Sequence, residues 1–147
     1  MKFICDRHRE IYASDPQAAL QFWNRSLALA RQKVLHAQWG EASVIYGNAF
    51  EAAEILLGAD VCNKRALTRY LQTAEEFAYA LRKNTCINEV GLLITSVRNR
   101  LAPVLPPEQV ESRMRALQAN AVRHGQEGAG AIELALVMEL GRSQTFH

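Results

Sequence analysis

The chain is poor in residues that interrupt regular structure: eight glycines and four prolines among 147 positions. With abundant alanine and leucine, that scarcity leans the composition toward helix. The three cysteines, Cys5, Cys62 and Cys86, cannot all pair within one chain. Their spacing fits no disulfide framework, which points to a reducing compartment and a cytoplasmic protein. Neither sign of charge dominates: 17 basic and 15 acidic residues leave a net +2. That balance is too weak to announce a nucleic-acid or membrane surface. No stretch approaches the roughly 20 apolar residues of a membrane span. Residues 1–8 have a short apolar run followed by charges, unlike a secretory signal.

Motifs of chemistry are equally scarce. The chain has no Glu-x-x-His, no His-Glu-x-x-His and no Gly-x-Ser-x-Gly. Gly125, Gly128 and Gly130 have the wrong order for a nucleotide loop and follow no strand. Cys5 and His8 have the spacing of half a zinc site, but a structural zinc needs four ligands and no second close pair follows. Cys86 precedes an apolar helix whose dipole lowers a thiol pKa, yet no histidine partner is in view. The expectation is a protein without cofactor or metal and without enzymatic activity.

What the chain has is helical periodicity. Asp15 and Pro16 make a helix start, as cap and first-turn proline. Leu20, Trp23, Leu27, Ala30 and Val34 then recur every three or four residues, a single stripe running to about Ala37. A second helix begins near Gly40 and carries Ala42, Ile45, Tyr46, Ala49, Phe50, Ala53 and Leu57. Gly58 is placed to end it. A third spans about 62–83 with Leu67, Tyr70, Leu71, Ala74, Phe77, Ala78 and Leu81. A fourth, about 86–102, shows Val90, Leu93, Ile94, Val97 and Leu101, and stops before Pro103. A fifth runs from Pro107 to about His124 on Val110, Met114, Leu117 and Ala121. A sixth, about 129–141, is apolar nearly all round, which calls for cover on more than one side. Residues 1–13 and 142–147 read as loose ends. The sequence thus predicts one all-α domain over 1–147: six helices in three antiparallel hairpins, with no strand. Trp39, Tyr46, Phe50, Leu71, Phe77, Leu93, Ile94 and Val97 are expected to be mostly buried.

Within the first hairpin, Trp39, Glu41, Ala42, Tyr46 and Ala49 follow the order of an aromatic, an acid, a small residue, then a later aromatic and alanine. Leu29 and Ala30 stand where a leucine and a small residue are wanted on the preceding helix. In this, residues 26–50 resemble a tetratricopeptide repeat, a helix–turn–helix unit built to stack. The second hairpin keeps Leu71, Ala74 and Ala78 but has Glu75 at a position where a small residue is expected, and its turn lacks the usual glycine and aromatic. The third hardly matches. The resemblance implies a divergent, right-handed stack of hairpins.

In such a stack the first helix of each hairpin faces a concave surface. Asn24, Arg31, Arg65, Arg69, Gln72, Glu76 and Arg113 would then line a polar groove. Arginines there suit a carboxylate or an acidic peptide through paired hydrogen bonds. The function this implies is a non-enzymatic adaptor, scaffold or chaperone-like module that binds a protein or peptide. The alternative is a regulator that touches nucleic acid through Arg98, Arg100, Arg113, Arg115 and Arg123, although a denser basic face is wanted for that role. The apolar last helix is either core or a homodimer face.

Overall fold

The computed structural model describes residues 2–127, with side chains through residue 119. Six helices and no strand form among the described residues: α1 (Asp6–Ser14), α2 (Pro16–Leu35), α3 (Trp39–Ala59), α4 (Lys64–Lys83), α5 (Ile87–Leu101) and α6 (Pro107–Glu127). The all-helical class is as the periodicity predicts. The six differ from the expected six at both ends. Residues 6–14 are helical rather than loose, and the expected helix at 129–141 lies outside the described residues, together with its candidate dimer face and the tail. Gly125, expected in a turn, belongs to α6.

The helix starts follow local chemistry. Asp15 accepts from the Ala18 N–H ahead of Pro16, and Asn63 accepts from the Arg65 and Ala66 N–H groups at the head of α4. These side chains satisfy donors that a helix leaves open in its first turn. α2 and α3 form one antiparallel hairpin, α4 and α5 the next. α4 also packs on α3 and α6, so it is the central helix of the bundle.

The two hairpins close with the same turn. Val34, His36, Ala37 and Gln38 of the first correspond to Arg82, Asn84, Thr85 and Cys86 of the second, 48 positions later. Ala37 and Thr85 both take positive φ, 55° and 59°. The N–H that follows each reaches back to the helix, Gln38 to the Lys33 carbonyl at 2.9 Å and Cys86 to the Leu81 carbonyl at 2.8 Å. This left-handed closure normally takes glycine; here neither position is glycine.

The core runs through all the hairpin helices. Tyr46, Phe50, Tyr70, Phe77, Leu93 and Val97 are buried, and Phe50 stacks on Tyr70 with ring centroids 5.1 Å apart. Alanines 30, 42, 49, 53, 74 and 78 are buried where helix axes come close. Trp39, Leu71 and Ile94 are half-buried rather than enclosed. Trp39 meets Tyr79 edge to face at 5.7 Å, and Lys83 lies over both rings.

Candidate functional site

Between α2 and α4 the surface opens into a pocket of about 370 Å³, lined by Trp23, Lys64, Arg65, Thr68, Arg69 and Gln72. Helical spacing explains the lining. Positions 68 and 69 each lie three or four residues from both 65 and 72, so the four share a face of α4. Trp23 supplies the facing wall from α2. Its Nε1 donates to Thr73 Oγ1 at 3.0 Å, and that hydroxyl donates in turn to the Arg69 carbonyl at 2.6 Å. The indole is therefore fixed by a helix it does not belong to. The Arg69 guanidinium lies over it, 5.1 Å from the ring centroid, a cation–π arrangement.

The electrostatics of the pocket are one-sided. Lys64, Arg65 and Arg69 are all cationic, and among the described residues no acidic side chain lines the cavity. Lys64 and Arg65 also occupy the first turn of α4, where the helix dipole adds partial positive charge. Burial first, and then the neighbouring Arg65 charge, lower the Arg69 pKa from its ordinary value. Arginine starts so high that it stays protonated at any physiological pH. The direction means that Arg69 gains if an anion joins it.

Of the residues expected in a groove, the structure thus brings together Arg65, Arg69 and Gln72. Asn24 and Arg113 are exposed but line no part of the pocket. Arg31 and Glu76 require a correction, because they are core rather than surface. Arg31 is 4% and Glu76 7% exposed, and they bind each other through two hydrogen bonds inside the bundle. Arg31 sits three and four residues from Val34 and Leu27, on the apolar stripe itself, and Glu76 adjoins Phe77. Only Arg31 had a local signal; Glu76 lies opposite the apolar stripe of α4 and is buried because α4 is packed on more than one side. Trp23, read as stripe alone, is also a wall of the pocket.

Elsewhere the chemistry is sparse. Cys5, Cys62 and Cys86 are all free. Cys5 Sγ lies 2.8 Å from His8 Nδ1 on the surface, and hydrogen bonding around His8 lowers the thiol pKa. Among the described residues, no group of three or more His, Cys, Asp or Glu is placed to hold a metal ion. Nor is any helix there long and apolar enough to cross a membrane. No protein-family model, no curated protein and no solved structure matches this chain.

Proposed function

We propose that this chain is a small interaction module without enzymatic activity, whose α2–α4 pocket binds an acidic or C-terminal segment of a partner protein. The observation that carries the reading is the Trp23–Arg69 stack, flanked by Lys64 and Arg65. An aromatic wall and aliphatic stems receive apolar parts of a peptide, and guanidinium groups fork onto its carboxylates.

The architecture supports the same reading. Two hairpins that close with one repeated turn behave as successive units of a tetratricopeptide-like stack, with α2 and α4 as the first helices. Their shared face is where such a stack is concave. The spacing of 48 residues between equivalent turn positions exceeds the roughly 34 of that repeat, so the stack is a lengthened, divergent one. Free thiols support a reducing, cytoplasmic setting.

The test is fluorescence anisotropy with a labelled acidic peptide that ends in a free carboxylate. Arg65→Glu together with Arg69→Glu is expected to weaken binding about tenfold or more, the scale of one lost charge-assisted bond, and to leave the melting temperature nearly unchanged. Equal affinity in the reversed variant rejects the pocket. If the chain instead binds a DNA or RNA duplex with an affinity that falls steeply with salt, it is a nucleic-acid binder.

A further inference from the structure

A second recognition surface lies on α3, away from the α2–α4 pocket, and it is covered by the chain itself. Helix α1 buries none of its own residues. The arm before it, which bends at Ile4, does: Ile4 is buried and Phe3 half-buried. What these two residues meet is shaped for them. Gly47 leaves a notch on α3, since a Cβ there would lie 2.5 Å from three carbons of the Phe3 ring. Phe77 closes the far side, edge to face with Phe3 at 5.8 Å. One turn along α3, Glu51 is 2% exposed. Its carboxylate accepts from the Phe3 N–H, from the Ile4 N–H at 3.2 Å and from Arg9 at 2.7 Å. All three of those partners belong to the arm and α1.

We propose that the Gly47–Glu51 face of α3 is a peptide-binding site for a short bent segment of a partner protein, an aromatic residue followed by an aliphatic one, and that residues 2–5 occupy it as a displaceable internal copy. A notch for one ring and a carboxylate that accepts from two consecutive backbone N–H groups form a receptor for a bent peptide segment, because a strand would turn those two N–H groups to opposite sides. Neither feature serves the packing of α3 on its neighbouring hairpin helices.

The occupant is built to leave. Glu51 is covered by the arm, so undocking returns it to water instead of stranding a charge in the core, the costly alternative. The arm joins α2 through Asp15, whose backbone is not helical (φ −134°, ψ 89°). Past the Phe3 ring the groove stays open for about 240 Å³, walled in part by Gly40, Val44, Leu81 and Cys86. Val44 is 56% exposed there. A partner segment that fills this open end buries apolar surface that the internal copy leaves wet, and that difference is what lets it compete.

The full-length chain tests this with a labelled synthetic peptide of residues 2–14 as probe. Wild type should bind it weakly, because the internal copy is present at high effective concentration. Phe3→Ala with Ile4→Ala should bind it at least about tenfold more tightly, as the competing occupant is lost. Adding Gly47→Leu, which fills the notch, should abolish that gain. A double variant that keeps its helical circular dichroism and does not bind overturns the proposal. Hydrogen exchange in wild type provides the second measurement, independent of any variant's folding. Exchange of the Phe3 and Ile4 amides at least about tenfold faster than the α3 core amides shows an arm that opens alone. Exchange at the same opening free energy as α3 makes the arm part of the cooperative core and overturns the proposal.

Discussion

Arg31 and Glu76 meet inside the bundle as a two-pronged pair, Nε to Oε1 at 2.9 Å and Nη2 to Oε2 at 2.7 Å. The Tyr46 hydroxyl donates to the same Oε1 at 2.9 Å, so one carboxylate ties α2, α3 and α4 together. Removing one member of a buried pair strands the other charge. Glu76→Ala is therefore expected to cost about 3–5 kcal/mol in denaturant unfolding. Replacing both charges, as in Arg31→Met with Glu76→Leu, should cost far less, because no charge remains to be desolvated. A single-variant loss under about 1 kcal/mol would mean that water reaches the pair.

The same cluster sets an alkaline limit. Burial first, then the Glu76 charge and the hydrogen bond to it, hold the Tyr46 pKa well above the usual tyrosine value. Tyr70 is shifted in the same direction by burial and by Glu54. An unfolded tyrosine titrates near pH ~10. Below that pH both states keep the proton and the contribution is constant. Above it the unfolded chain releases protons that the folded chain retains, so stability falls as pH rises. The melting temperature should hold between about pH 7 and 9 and drop beyond about 10. Tyr46→Phe should lower stability at neutral pH and flatten the alkaline slope. An equally steep slope in that variant would assign the loss to other groups.

Phe77 is the packing counterpart of that polar cluster. It is fully buried, near Phe50 on one side and Phe3 on another. Phe77→Ala should cost about 3–5 kcal/mol, read from the denaturant midpoint. A loss below about 1 kcal/mol would show that the site collapses around the gap.

How much of this was legible in the chain depends on the range of the interaction. Asp15–Pro16 marked the start of α2 because a cap and a first-turn proline are local chemistry. The stripes of α2 to α5 were visible because burial repeats with the helix. α1 was missed because it buries no residue and so leaves no apolar period. Arg31 and Glu76 were read as surface, off the main apolar stripes, but Arg31 stands on the stripe of α2, α4 is covered on more than one side, and their pairing across 45 positions has no local signature. The pocket was half legible. The spacing of 65, 69 and 72 put three polar residues on one face, but the Trp23 wall depends on how α2 docks.

The repeated turn offers a cleaner test of local strain. Ala37 and Thr85 hold φ of 55° and 59°, where a side chain costs roughly 1 kcal/mol and a β-branched one more. Ala37→Gly and Thr85→Gly should each raise stability, Thr85→Gly by the larger amount, up to about 1 kcal/mol after the entropy cost of glycine. Thermal melts of the two single variants decide it. A loss at Thr85 would mean that its hydroxyl, which donates to the Asn84 carbonyl at 2.7 Å, outweighs the strain.

Trp23 gives the pocket a direct optical signal. The chain has two tryptophans, and only Trp23 lines the α2–α4 pocket. In a Trp39→Phe background, emission therefore reports Trp23 alone. An acidic peptide that engages Arg69 shifts the guanidinium against the ring it covers, so Trp23 emission should change and saturate at the affinity given by anisotropy. Arg69→Lys should weaken binding about tenfold, since an ammonium keeps the charge but cannot fork onto a carboxylate or stack flat on the indole. Charge reversal at Arg113, exposed on α6 and outside the pocket, should leave affinity unchanged. Salt should weaken the complex moderately, because the exposed Lys64 and Arg65 are screened while the half-buried Arg69 is screened less. Saturating peptide with no change in Trp23 emission would locate the ligand away from this pocket and end the reading.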